Sequence, residues 1–122
     1  MFLHAPNDPA CRDFLSTLQI RHRDYGRKNA RLVVIFPVEA NVLTDFDHDS
    51  KPLLALADPV GEIRRRYAAL MAERLVQDQD VMLFVMDENG GIYVCLVGRE
   101  PDPGAQDEIL SWLDFIGIQC PE

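Results

Sequence analysis

The sequence predicts an α/β domain with a central mixed β-sheet flanked by helices. Two observations carry this reading. Continuous apolar, β-branched runs at Leu32–Phe36 and Val81–Met86 have the character of strands buried on both faces. Three Asp-Pro dipeptides, at 8–9, 58–59 and 102–103, each precede a segment of helical periodicity. Asp is a good N-cap, and Pro suits the first helical position because its missing N–H is unpaired there anyway.

In order, the chain opens with a short apolar strand, Phe2–Ala5, that stops at Pro6. The first helix follows Asp8-Pro9, carries Phe14, Leu15, Leu18, His22 and Tyr25 on one stripe, and can end at Gly26. The Leu32–Phe36 strand comes next. Residues 39–52 read as an acidic, irregular surface loop, and Leu53–Ala57 as a weaker strand. The second helix follows Asp58-Pro59, with Ile63, Tyr67, Leu70 and Met71 inward and Arg64, Arg65 and Arg66 mainly over the solvent side. Val81–Met86 then turns through Asp87–Gly91 into Ile92–Val97 as a hairpin. The third helix presents Ile109, Leu110, Trp112, Leu113 and Ile116 and is expected to stop near Gly117.

A length of 122 residues fits one domain, 1–122, with a sizeable core, and an apolar content of 48% fits a globular protein. No apolar run is long enough for a membrane span, and no basic-then-apolar leader opens the chain. Little precedes the first strand, so a domain trimmed at its ends is expected. The net charge of −8 argues against a nucleic-acid binder, whose affinity rests on neutralising phosphates. The charge is uneven. Residues 11–31 carry Arg12, Arg21, Arg23, Arg27, Lys28 and Arg31 against Asp13 and Asp24, whereas residues 77–122 carry ten acids and only Arg99. Solvated faces are one reading. Oppositely charged faces meeting between chains, giving a homodimer, are the other.

Cys11, Cys95 and Cys120 form no close pair and no zinc-type spacing with His4, His22 or His48, which read as structural or surface histidines. An odd cysteine count without a leader points to the reducing cytoplasm. Cys95 reads as a small core residue and Cys120 as a tail thiol. Asp45, Asp47, His48 and Asp49 lack the spacing of a calcium loop and read as acidic surface. Gly90-Gly91 reads as a turn, because no phosphate-loop pattern follows. No cofactor and no metal are expected.

The candidate site is the strand-loop-helix from Phe2 to Leu15. Cys11 falls in the first turn of a helix, where unpaired N–H groups and the positive dipole end favour thiolate. Arg12 acts in the same direction, and Asp8, one turn away, opposes it.

The run Phe-Leu-His-Ala-Pro…Pro-Ala-Cys-Arg-Asp-Phe-Leu resembles the active-site strand-loop-helix of thioredoxin-like and peroxiredoxin-like (redoxin) domains. In that superfamily the loop often reads Cys-Pro-Ala-Cys-Arg. Leu56–Glu62 is similar to the peroxiredoxin-like strand-to-helix element, Phe84–Tyr93 to the family's hairpin, and the stretch 112–122 to the end of a bacterial redoxin-like group. The resemblance covers nearly the whole chain and implies a thioredoxin-like fold. The departures lie at the site. Asp8 stands where the first, nucleophilic cysteine would be, and Cys11 matches the second, resolving position. The peroxiredoxin pattern Pro-x-x-x-Thr-x-x-Cys is absent, with His4 and Asp8 at its Pro and Thr positions. Val81 or Met82 stands where a cis-proline usually precedes the third core strand. Two functions follow from the resemblance. One is a binding or structural module with a degenerate dithiol site. The other is a one-cysteine thiol oxidoreductase or peroxidase using Cys11, with a small-molecule thiol or Cys120 of another chain as resolver.

Overall fold

The computed structural model describes residues 1–46, 53–71 and 80–119. Two strand pairs form the sheet. β1 (Leu32–Phe36) runs parallel to β2 (Leu53–Ala57), from Leu32 opposite Leu53 to Phe36 opposite Ala57. β3 (Val81–Met86) runs antiparallel to β4 (Ile92–Gly98), with a register shift between Val85 and Met86.

The N-terminal backbone stitches the pairs together. Phe2 bridges Ile35 in parallel and Met82 in antiparallel sense. Its N–H donates to the Met82 carbonyl at 2.8 Å, Met82 N–H returns a bond to Phe2 at 3.2 Å, and Leu3 N–H donates to Ile35 at 3.1 Å. The lateral order is therefore β2, β1, the Phe2 segment, β3, β4. The strand expected over 2–5 shrinks to this bridge. His4 and the residues after it leave the ladder and turn into the first helix.

Side-chain alternation divides the core into two layers. Leu3, Leu32, Val34, Phe36, Val81, Leu83 and Val85 lie on one face of the sheet. Against them pack Cys11, Phe14, Leu15 and Leu18 of α1 (Pro9–Ile20) and Ile109 and Leu110 of α4 (Ala105–Gln119). Phe2, Ile35 and Met82 face the other way, where Ile63 and Tyr67 of α3 (Glu62–Ala68) cover them together with Met71. The first and last helices thus share one face, and α3 covers the other. On the α3 side, the rings of Phe2, Tyr67 and Phe84 cluster with centroids 5.1–6.1 Å apart.

Several helical expectations are corrected. The first helix breaks at Arg21, after which α2 (His22–Arg27) begins. His22 Nδ1 lies 2.7 Å from the Gln19 carbonyl oxygen, at the end of α1 where the helical ladder runs out. His22 is consequently exposed and leaves the apolar stripe, while Tyr25 stays buried. Gly26 lies inside α2. The chain instead leaves that helix through Asn29, at φ 53°, a left-handed conformation that Asn tolerates better than most residues.

Only the first Asp-Pro pair caps in the expected register. α3 starts at Glu62 behind Gly61, whose φ of 70° suits a residue without Cβ. Buried Asp58 reaches forward instead, accepting from Ile63 N–H at 3.2 Å and Arg64 N–H at 3.0 Å. Asp102 likewise accepts from Gly104 N–H, one residue before α4. Arg64 is buried rather than solvent-facing, with Nη2 donating to the Asp80 carbonyl at 2.6 Å. Leu70, expected inward, is exposed, because the helix tightens to a 3-10 turn over Ala69–Met71. α4 continues through Gly117 to Gln119. Part of the expected 39–52 loop is a 3-10 helix, Ala40–Phe46, whose Leu43 enters the core. Asp47, His48, Asp49 and Cys120 lie outside the described residues, as does the side chain of Asp45. No helix among the described residues is long and apolar enough to cross a membrane.

The oppositely charged segments meet within the chain. Arg21 Nη1 lies 2.7 Å from Asp107 Oδ1, and Lys28 pairs with Asp114.

Candidate functional site

Pro9 provides the first residue of α1, and Asp8 is its N-cap, in extended conformation. Asp8 Oδ2 accepts the backbone N–H of Ala10 at 3.1 Å and of Cys11 at 3.3 Å. Two of the donors that a helix start leaves without partners are thereby satisfied. The apolar stripe of α1 begins at Cys11, so the residue that enters the first helical turn also enters the core. Cys11 is 0% exposed.

Burial pushes the Cys11 thiol above its ordinary pKa. A backbone hydrogen bond from Ala5 opposes this, the nearby Asp8 carboxylate adds to it, and a backbone hydrogen bond from His4 opposes it again. The outcome is a thiol held in its protonated form. The helix N-terminus does not rescue the thiolate, because Asp8 already occupies the Ala10 and Cys11 N–H groups. Arg12, expected to favour thiolate, is exposed.

The structure brings a third group to the pair. His4 Nδ1 lies 3.8 Å from Cys11 Sγ, and His4 Nε2 lies 3.6 Å from Asp8 Oδ1. One ligand-type atom from each of His4, Asp8 and Cys11 falls within 4.8 Å of the others. The three differ in access. The sulfur is enclosed, whereas the His4 and Asp8 side chains are 26% and 34% exposed, so the cluster opens to solvent on their side.

Sequence reasoning placed Asp8 and Cys11 at the helix start but set His4 aside as structural or surface. The missed signal is the spacing His4-x-x-x-Asp8-x-x-Cys11 across a Pro-flanked turn. Helical spacing accounts only for Asp8 and Cys11. The return of the chain at Pro6 brings in His4. Cys95 is half-buried on β4, packed against the Phe2–Met82 layer on the opposite face of the sheet from Cys11.

No protein-family model matches the chain, and no curated protein is significantly similar to it.

Proposed function

We propose that this chain is a thioredoxin-like domain with a degenerate dithiol site, Asp-Pro-Ala-Cys in place of Cys-x-x-Cys, and that it acts as a non-catalytic binding or structural module. The observation that carries this reading is the state of Cys11. It is fully buried, its thiol is pushed toward the protonated form, and the carboxylate in the first-cysteine position is committed to capping the helix. A nucleophilic thiol needs exposure and thiolate character, and Cys11 has neither. The thioredoxin-like assignment is supported by two parallel elements, Phe2 and β1, on either side of α1 in the chain. It is supported also by an antiparallel hairpin against Phe2 and by a closing helix after that hairpin.

The test is an insulin-reduction assay on the parent and on Asp8→Cys. The parent should give background activity. Asp8→Cys rebuilds a Cys-Pro-Ala-Cys site at the more exposed of the two positions and should give measurable turnover. Robust reduction by the parent, lost in Cys11→Ser, would overturn the degenerate-site reading.

One observation favours a second reading, a one-cysteine oxidoreductase or peroxidase: the ring nitrogen 3.8 Å from the sulfur is a base placed to take the thiol proton. The thiolate would then attack a peroxide oxygen, forming a sulfenic acid and releasing water or an alcohol, with a small-molecule thiol as reductant. Stoichiometric peroxide consumption that disappears in both Cys11→Ser and His4→Ala would establish it.

Cytoplasmic residence follows from the cysteine usage. A homodimer follows from the charge bias, and exposed Arg12, Arg23 and Arg27 would carry it, because Arg21 and Lys28 already pair within the chain. Light scattering that shows monomer alone at high micromolar concentration in low salt would remove the dimer.

A further inference from the structure

We propose that His4, Asp8 and Cys11 form a binding site for a zinc-class divalent cation, with a fourth position open to water. The assignment does not depend on the thioredoxin-like reading, since it rests on three side chains and their placement.

The donor set is selective. A thiolate, an imidazole and one carboxylate oxygen suit Zn²⁺ and similar borderline cations, whereas Mg²⁺ and Ca²⁺ require mostly oxygen ligands. Zn²⁺ sits about 2.3 Å from sulfur and about 2.0–2.2 Å from nitrogen or oxygen, which in a tetrahedron puts ligand atoms about 3.5 Å apart. The sulfur and His4 Nδ1 already stand 3.8 Å apart. All three ligand atoms lie within 4.8 Å of one another. Closing the remaining gap needs rotation of the His4 and Asp8 side chains, which are 26% and 34% exposed. The sulfur need not move. Asp8 can serve the helix and the metal together, because Oδ2 takes the Ala10 and Cys11 N–H groups and Oδ1 faces His4.

Charge points the same way. Thiolate and carboxylate one helical turn apart repel each other, and a dication neutralises both. Binding releases the Cys11 proton to solvent, forms the metal–sulfur bond and leaves His4 neutral. Three protein ligands with one open side match the arrangement of sites that keep a water on the metal rather than closed structural sites. The partly exposed His4 and Asp8 give the cation its entry.

Co²⁺ is the probe. The reduced full-length chain, in a Cys95→Ser/Cys120→Ser background, is titrated with Co²⁺ while its near-ultraviolet and visible absorption are recorded. The expected result is a thiolate-to-cobalt charge-transfer band saturating at one equivalent, with visible bands of four-coordinate intensity, both bleached by Zn²⁺. Cys11→Ser should abolish the charge-transfer band. His4→Ala, at a partly exposed position, should weaken Co²⁺ binding at least about tenfold, and Asp8→Asn should weaken it while retaining the helix cap. Thermal unfolding of the parent should shift upward with added Zn²⁺, and that shift should vanish in His4→Ala. Absence of the band in the folded parent overturns the proposal. So does a band unaffected by His4→Ala. Insulin-reduction activity moves neither readout, so failure here and failure of the degenerate-site reading are separate results.

Discussion

The Asp8 carboxylate accepts the backbone N–H of Cys11 at 3.3 Å and stands against its thiol through space, so one side chain both builds the helix start and suppresses the thiolate there. In a helix start without a side-chain cap, the free N–H groups would stabilise a nearby thiolate. Here an anion holds that place.

Substitutions at Asp8 separate its two effects. Asp8→Ala removes the cap and should cost about 1 kcal/mol of stability, within a range of about 0.5–2 kcal/mol. Asp8→Asn keeps a capping oxygen and should cost less. Both remove the charge that raises the Cys11 pKa, so both should lower it, while burial keeps it above an exposed cysteine's. Denaturant titration reads the first effect, and pH-dependent thiolate absorbance in a Cys95→Ser/Cys120→Ser background reads the second.

Tyr25 makes stability pH-dependent at the alkaline end. Burial pushes its phenol up to about 12, Asp107 and Asp24 add to the shift, and Arg21 opposes it. The unfolded phenol loses its proton near 10, so between about 10 and 12 the folded state holds more protons than the unfolded state. Stability from this group is therefore full below pH 10 and falls as pH rises through the folded value. Tyr25→Phe should flatten the decline in urea-midpoint measurements over that window, and an unchanged slope would show that another group controls it.

The same tyrosine donates to Gln106 Oε1 at 3.4 Å inside the core, and Gln106 Nε2 is buried without a hydrogen-bond partner among the described residues. Tyr25→Phe alone should destabilise by about 1–2 kcal/mol, because the amide oxygen then also loses its partner. Tyr25→Phe/Gln106→Met removes the whole buried polar pair and should recover most or all of that loss. Chemical denaturation of the two single variants and the double variant forms the cycle that checks it.

Phe2 joins the two strand pairs through its backbone and anchors the ring cluster with Tyr67 and Phe84 through its side chain. Phe2→Ala keeps the backbone bridge but empties a buried aromatic site, and should cost about 3–5 kcal/mol. By contrast, Arg21→Ala and Asp107→Ala break an ion pair whose acid is largely exposed, and each should cost less than about 1 kcal/mol, shrinking further in high salt. Thermal melts of these variants at low and high ionic strength distinguish the two classes.

Much of this molecule is local and was legible in the sequence. β1, β2 and β3 have the boundaries that their apolar runs suggest, and β4 extends one residue beyond its run, to Gly98. Pro9 and Asp8 announce the start of α1, because capping and helix periodicity depend on neighbours within about four residues. The same locality puts Cys11 in the first helical turn. Other features depend on groups far apart in the chain. Arg64 is buried because the Asp80 carbonyl, 16 residues on, accepts from its guanidinium. Arg21 and Lys28 meet Asp107 and Asp114 only because α1, α2 and α4 share one face of the sheet, and no periodicity in α1 specifies that face. His4 reaches the Cys11 sulfur because Phe2 is pinned between Ile35 and Met82, which fixes where the chain turns toward the helix. The sequence determined by itself that a thiol and a carboxylate would sit at the start of α1. The tertiary structure decided that the thiol would be enclosed and that an imidazole would stand beside it, because both depend on which strands flank the first three residues.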